Sequence, residues 1–217
     1  METLSQPPAP ARATYRHGDL RRALLEAATA LAREGGPQAI VLREATRRAG
    51  VAPNAAYRHF AGRADLFDAV RGAALGALAR GIEAEIAAAT PGLADDAARA
   101  RATLHAVGLG YLRFAREQPG LFRTAFAAQP YDVSGSGRRD FKGEGGRDPF
   151  ELLCDALDAL VVAGVLPAAR RPGAEYLAWS AVHGLALLAL DGPLRGLPRE
   201  ACAQLAARLV DMVERGL

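Results

Sequence analysis

The chain has 217 residues, half of them hydrophobic and about a quarter charged, which fits a globular protein and excludes disordered and collagen-like classes. Alanine and leucine are abundant and aromatic residues make up only 6%, a composition that favours helices. The formal net charge of +3 is unevenly distributed, because residues 1–71 contain 11 basic against 7 acidic residues and residues 72–217 contain 16 against 17. A basic excess confined to one end is typical of nucleic-acid-binding proteins.

The N-terminal residues 1–14 contain no apolar core of a signal peptide and are predicted to be a disordered arm. The two cysteines, Cys154 and Cys202, belong to no Cys-x-x-Cys or Cys/His cluster, so we expect buried apolar side chains and neither a metal nor a cofactor. The longest apolar run, residues 176–190, is too short to span a bilayer. We therefore expect a cytoplasmic protein without a membrane partner.

The first helix is predicted over residues 18–36, capped by Asp19 and stopped by Gly35, Gly36 and Pro37. Its apolar positions recur with helical spacing and form one stripe. They are Leu20, Leu24, Ala27, Ala28 and Leu31.

Two short helices follow, over residues 42–49 and 53–60, with Gly50 at the turn between them. A positive φ angle is accessible to glycine at little cost, Pro53 suits a first helical turn, and Val51 is expected to fill the angle between the helices. Helix, turn and short helix together predict a helix-turn-helix, whose second helix enters the major groove of DNA.

The second short helix carries the residues that are expected to contact DNA. Its first side chains should reach base edges, with the amide on adenine or phosphate and the alanines on thymine methyl groups; they are Pro53, Asn54, Ala55 and Ala56. The next three, Tyr57, Arg58 and His59, suit phosphate contacts, although Tyr57 could instead be core and His59 an idle surface residue. Phe60 is expected in the core, and Arg47 and Arg48 in solvent.

A long helix is predicted over residues 63–89, because Gly62 precedes it and Pro91 follows it. Further helices are predicted over residues 95–117, 119–127, 149–164, 174–190 and 198–215, with a mobile loop over residues 129–148. The predicted fold is all-α with about nine helices. It comprises an N-terminal three-helix helix-turn-helix domain, residues 15–62, and a C-terminal helical bundle, residues 63–217.

Residues 15–70 resemble the TetR family of transcriptional regulators, and their ending, GV…Y.HF..R..L, is specific. The resemblance implies phosphate contacts by Arg43, Tyr57, His59 and Arg63, the last at a helix N-terminus that also attracts anions. It also implies a contact from the arm by Arg16.

Three alanines depart from the family pattern. The family usually has Ser or Thr as a helix cap where Ala52 stands, Thr where Ala55 stands and Leu where Ala56 stands. Fewer hydrogen-bonding side chains therefore face the bases.

The C-terminal part resembles a TetR subclass with a Trp and a His-Gly pair on its penultimate long helix, here Trp179, His183 and Gly184. Trp179 and His183 are four residues apart and share one helix face, where they either line a cavity or pack in the core. The resemblance implies a small-molecule site in the bundle. Its candidates are His105, Tyr111, Phe114, Phe122, Phe126, Trp179 and His183.

The resemblance also implies a homodimer, formed by pairing of the helices 174–190 and 198–215 with their symmetry mates. The last helix presents one apolar stripe, namely Cys202, Leu205, Leu209, Met212 and Val213. Two recognition helices about one DNA turn apart imply a palindromic operator.

The resulting hypothesis is a sequence-specific DNA-binding transcriptional regulator, in most members of the family a repressor that a small apolar ligand releases from its operator. One alternative is a helical adaptor of the same fold that does not bind DNA, which the alanines at 52, 55 and 56 would permit. An enzyme is disfavoured, because the sequence lacks paired Glu-x-x-His motifs, a Gly-x-Ser-x-Gly elbow and a phosphate-binding loop in a strand-turn-helix setting.

Overall fold

A computed structural model describes residues 17–127 and 141–217, and within them the chain forms nine α-helices and no strand. This confirms the all-α prediction. The helices are α1 (His17–Gly35), α2 (Leu42–Arg48), α3 (Pro53–Ala56), α4 (Arg63–Ala89), α5 (Asp96–Glu117), α6 (Pro119–Ala125), α7 (Pro149–Val162), α8 (Ala174–Leu190) and α9 (Arg199–Gly216). The predicted arm with Arg16, and most of the predicted loop, lie outside the described residues.

Several helix ends differ from those predicted. Because α1 begins at His17, Asp19 lies in its first turn and not at its cap. The recognition helix α3 ends at Ala56 instead of Phe60, and residues 57–59 form a turn. Two short 3₁₀ turns, Pro37–Ala39 and Ala168–Arg170, had no sequence signal that we recognised.

The turn between α2 and α3 has the predicted geometry. Gly50 has a φ of 68°, which is strained for residues that carry a β-carbon. The Val51 amide donates to the Thr46 carbonyl over 3.0 Å, and the Val51 side chain packs on the core. The turn therefore fixes the angle between the two helices by a backbone bond and by side-chain burial.

The long helix α4 connects the N-terminal helices to the bundle through one continuous apolar core. Its first half buries Leu66, Val70 and Leu75, and its second half buries Leu78 and Ile82. These side chains belong to one cluster that extends from α1 to Leu217. The helix is therefore buried on its inner side from Leu66 to Ile82.

The short helix α6 packs directly against α1. A β-carbon at Gly120 would lie 2.3 Å from the Ala32 carbonyl oxygen, so only glycine permits this approach. The Arg33 Nε atom donates to the Gln118 side chain over 2.9 Å, and buried Arg71 of α4 donates to the Ala125 carbonyl over 3.3 Å. The C-terminal part thus touches the N-terminal helices at a second place besides α4.

The cysteines, the possible metal ligands and the helix lengths concern three further expectations. Both cysteines are free, but they are half-buried instead of fully buried as predicted. No cluster of three or more His, Cys, Asp or Glu side chains that could hold a metal ion occurs among residues 17–127 and 141–217. None of the helices described is long and apolar enough to cross a membrane.

Candidate functional site

The recognition helix α3 turns one face outward. Asn54 and Arg58 are exposed and Tyr57 is 61% exposed, whereas Phe60 is completely buried, as predicted. His59 and Ala55 are half-buried. Ala56 is completely buried, so the expectation that it contacts a thymine methyl group was wrong: it packs inward with Phe60. The exposed side chains therefore form the solvent-facing surface of the helix-turn-helix.

The start of α3 has no side-chain cap. Ala52 has the extended backbone of an N-cap residue, with φ −66° and ψ 138°, but no side chain bonds to the first amides of the helix. Pro53 occupies the first helical position, where a missing N–H is tolerated. The alanine at this position therefore leaves the helix start without the hydrogen bond that Ser or Thr would supply.

The arginines of the N-terminal helices fall into two groups. Arg47 donates to Glu44 over 2.6 Å, and Arg48 donates to Glu34 over 2.7 Å. The hydrogen bond from Arg47 holds the pKa of the Glu44 carboxyl at about 2. Arg43 and Arg58 are exposed and have no ion pair within residues 17–127 and 141–217. The second group has charge available for phosphate, whereas the first is already neutralised.

Arg63 has a structural role that the sequence did not indicate. Its Nε atom donates to the Ile40 carbonyl over 3.1 Å, and its Nη2 atom lies 3.4 Å from the Pro37 carbonyl oxygen. The side chain remains exposed. Arg63 therefore ties the start of α4 to the 3₁₀ turn before α2, and any phosphate contact would be made from this fixed position.

Arg21 of α1 is a further cation on this side that sequence reasoning missed. Its guanidinium carbon lies 5.2 Å from the centre of the Phe60 ring, within cation–π distance. The two residues are 39 positions apart, and no local signal pairs them. The contact holds an exposed arginine beside the recognition helix.

In the C-terminal bundle, five of the predicted ligand residues form one aromatic cluster. Neighbouring ring centres are 4.9 to 6.3 Å apart, typical of packed aromatic pairs. The members are Tyr111, Phe122, Phe126, Trp179 and His183.

A short hydrogen-bond chain runs through this cluster. The Trp179 Nε1–H group donates to the Tyr111 hydroxyl over 3.2 Å, and that hydroxyl lies 2.7 Å from the His183 Nδ1 atom. Burial lowers the pKa of His183, which favours the neutral ring. The Tyr111 O–H group then donates to Nδ1, so all three polar atoms are satisfied inside an apolar region.

A cavity of about 40 Å³ adjoins the cluster. Tyr111, Phe126 and Trp179 line it together with Phe150, and none of its lining side chains is charged. The volume suits a few water molecules and is well below the roughly 300–1,000 Å³ of sites for drug-sized ligands. In this conformation the aromatic cluster is therefore nearly closed.

Two predicted ligand residues lie outside the aromatic cluster, and one aromatic lining residue was missed. His105 Nε2 lies 2.7 Å from a carboxylate oxygen of Glu214 on α9. Phe114 is 8% exposed and does not line the cavity. Phe150 lies within the capping box formed by Asp148 and Glu151 at the start of α7. That box was the available sequence signal for its position.

The outer face of α8 is apolar and uncovered in the single chain. Leu177 is 66% exposed and Leu188 is 45% exposed, and they share this face with Ala181 and Gly184 at spacings of four, three and four residues. On α9, Met212 is 59% exposed. Leu209 and Val213, predicted on the same stripe, instead pack on the core.

Two family models match the chain. One described as "Bacterial regulatory proteins, tetR family" matches residues 24–70. One described as "Tetracyclin repressor-like, C-terminal domain" matches residues 104–213, just over half of the chain. No curated protein matches.

Solved structures have the same fold. A Rhodococcus sp. RHA1 protein described as of unknown function is similar with a TM-score of 0.73 and 26% identity, over 95% of this chain and 99% of that one. A TetR family transcription regulator from Marinobacter aquaeolei VT8 is similar with a TM-score of 0.58 and 21% identity, over 90% and 95%. The family models, together with the outward-facing recognition helix, establish that this chain belongs to the TetR family of transcriptional regulators.

Proposed function

We propose that this protein is a repressor that binds a palindromic operator as a homodimer and is released by a small apolar ligand. Members of the TetR family are DNA-binding regulators that act as dimers, and they are not enzymes. The observation that carries the proposal is the orientation of α3 and of the turn after it, which expose Asn54, Tyr57 and Arg58 while they bury Ala56 and Phe60. A helix that served only the core would bury the tyrosine as well.

The proposed DNA contacts divide into base contacts, which recognise the sequence, and phosphate contacts, which position the protein. Asn54 and Ala55, with Pro53 before them, face the bases in this proposal, where an amide can distinguish adenine. The phosphate contacts come from Arg43, Tyr57, Arg58, His59 and Arg63, with Arg16 added from the arm. We keep residues 15–62 as the DNA-binding part and 63–217 as the ligand-binding and dimerisation part.

Selection of bound sites from random duplex DNA tests this proposal directly, with a palindrome as the expected result. The double variant Tyr57→Phe with His59→Ala should weaken binding to all sequences about equally, because phosphate contacts carry no sequence information. Asn54→Ala is the matched variant, and it should change the selected sequence. A wild-type dimer that ignores duplex DNA at low salt would favour the adaptor alternative, and an altered preference in the phosphate variant would overturn that assignment.

The ligand site in this proposal is the cavity beside Trp179, which belongs to the subclass motif with His183 and Gly184. Its walls are apolar and uncharged, so an uncharged ligand fits their chemistry. Because the cavity is small, the ligand must favour a conformation in which the aromatic rings separate, and it shifts the balance only by its differential affinity for that state. Phe122 and Phe126 lie on or beside α6, which also contacts α1, so such a movement can reach the recognition helices.

One variant tests whether Trp179 takes part in ligand binding without affecting DNA binding. Trp179→Ala should change the response of the operator complex to inducing compounds while the selected operator stays the same. An unchanged response in a folded variant would remove Trp179 from the site.

The dimer in this proposal forms through the exposed face of α8 together with α9. Leu177→Glu with Leu188→Glu places charges on that face, and we expect a monomer in sedimentation experiments and a loss of operator affinity. Val162→Glu is the matched control, because Val162 is 90% exposed on α7, away from this face. A double variant that remains dimeric would contradict the assignment.

A further inference from the structure

A second, larger groove lies between α5 and the α8–α9 hairpin. Its volume is about 410 Å³, within the usual range for small-molecule sites. It shares no lining residue with the cavity beside Trp179. It is therefore a separate site, and it is already open in this conformation.

Most of the residues that line this groove are aliphatic. Five of the lining residues are charged and one is Cys202; every other lining residue is leucine or alanine. No aromatic ring and no neutral hydrogen-bonding side chain lines the groove. Such aliphatic walls offer apolar area to a hydrocarbon chain.

The charged residues of the groove carry an excess of positive charge. Four are arginines and one is Glu85, which already forms an ion pair with Arg113. Arg195 and Arg199 are exposed and have no ion pair within the described ranges. The hydrogen bond from Arg123, 2.6 Å long, lowers the pKa of Asp191, and Arg195 adds a smaller effect. The end of the groove near the α8–α9 connection therefore has two guanidinium groups available for an anion.

The groove is also distinct from the face of α8 assigned to the dimer. The helix rotates by about 100° per residue, so Leu185 and Ala189 in the groove point about that far around the axis from Gly184 and Leu188.

On α9, Cys202 and Leu205 of the predicted apolar stripe line the groove, whereas Met212 of that stripe is 59% exposed and lies outside it. A second copy held by the outer face of α8 and by Met212 can leave the groove accessible from the α5 side.

We propose that this groove binds an amphiphile that consists of an acyl chain and an anionic head group. The chain lies along the leucine and alanine walls, and the head group lies against Arg195 and Arg199. The head group is a carboxylate or a phosphate, since guanidinium groups bind both through paired hydrogen bonds. The protein would then have a second effector site that takes a different class of compound from the aromatic cavity.

Calorimetric titration of the purified full-length protein with three compounds of equal chain length tests this proposal. Dodecanoate and dodecyl phosphate are used below their critical micelle concentrations, and the uncharged dodecanol is used below its solubility limit. We expect both anions, or one of them, to bind at least about tenfold more tightly than dodecanol, a difference that one charge-assisted hydrogen bond can supply. The tighter anion identifies the head group.

Variants locate the binding. Arg195→Gln with Arg199→Gln should weaken binding of the preferred anion at least about tenfold, and Ala189→Phe should block it by filling the groove. Arg80→Gln is the control, because Arg80 is exposed on α4 and lines neither site. Since both arginines of the double variant are on the surface, its folding should be unaffected even where Ala189→Phe fails to fold.

The rate at which the two cysteines are alkylated locates the bound anion without any substitution. Cys202 lines the groove, whereas Cys154 is half-buried elsewhere, so the bound anion should slow alkylation of Cys202 alone. Equal binding of dodecanol, an unchanged affinity in the arginine variant, or protection of both cysteines would overturn the proposal. Binding by the Leu177→Glu/Leu188→Glu monomer but not by the wild-type dimer would also overturn it, because the second copy would then cover the groove.

Discussion

Replacing Gly120 by alanine tests the close packing of α6 on α1. A β-carbon on this buried glycine would lie 2.3 Å from the Ala32 carbonyl oxygen and 2.5 Å from that of Arg33. Both oxygens belong to a helix backbone, so neither can rotate away as the end of a side chain would. We therefore expect Gly120→Ala to push α6 away from α1.

The size of the effect follows from these distances. Real β-carbons are essentially never closer than 3.0 Å to such atoms, so the two helices must separate by at least about 0.7 Å. Overpacking of this kind typically costs about 1–3 kcal/mol. In a chain of this size each kcal/mol lowers the melting temperature by roughly 2–4 °C, so we expect a decrease of roughly 2–12 °C.

Thermal unfolding followed by circular dichroism measures this decrease. All samples must have the same protein concentration, because association makes the melting temperature depend on concentration. Gly81→Ala in α4 is the control: no atom lies within 4 Å of its added β-carbon, and the better helix former should add up to about 1 kcal/mol. A Gly120→Ala protein as stable as the wild type would refute the packing argument.

Three further predictions concern DNA binding, the helix cap and pH. Arg43→Ala should lower the slope of log operator affinity against log salt concentration by about 0.9, the value of one lost phosphate contact. Arg47→Ala should leave this slope unchanged, because Glu44 already neutralises that side chain. Fluorescence anisotropy titrations over a salt series measure both slopes, and equal slopes for the two variants would contradict the assignment. Ala52→Ser supplies the missing cap of α3 and should stabilise the protein by roughly 1 kcal/mol, so an unchanged midpoint in denaturant unfolding would count against the cap geometry. Burial lowers the pKa of His183 below 6.5. As pH falls, the unfolded chain therefore takes up this proton before the folded protein does, and stability should fall below about pH 6.5. In thermal unfolding between about pH 8 and pH 5, His183→Gln should lose less stability than the wild type, and an equal loss would exclude His183 as the cause.

The helix order could be predicted because turn-forming residues coincide with helix ends. Gly50, Gly62 and Pro149 each lie at a boundary that the structure contains. The end of α3 was predicted wrongly, because the Arg58 and His59 amides bond to carbonyls only three residues earlier and tighten the chain into a turn. That turn brings Phe60 into the core beneath Arg21, a tertiary requirement that no local pattern expresses.

The exposure of the proposed DNA contacts was more predictable than the ligand cavity. Tyr57 and Phe60 are three residues apart, and the sequence motif already separated an exposed role from a buried one. The cavity depends on how α5, α7 and α8 pack together, so neither its small volume nor the place of Phe150 could be foreseen. His105 was expected near the ligand, but its partner Glu214 is 109 positions away.

The unbroken core from α1 to Leu217 has a consequence for protein engineering. A fragment cut after Gly62 would lose both α4 and α6 and would expose the buried Leu31 and Ala32 of α1. The first three helices therefore cannot be transferred to another protein as an independently folding domain. A chimera that keeps its operator preference must carry α4 and α6 along with the first three helices.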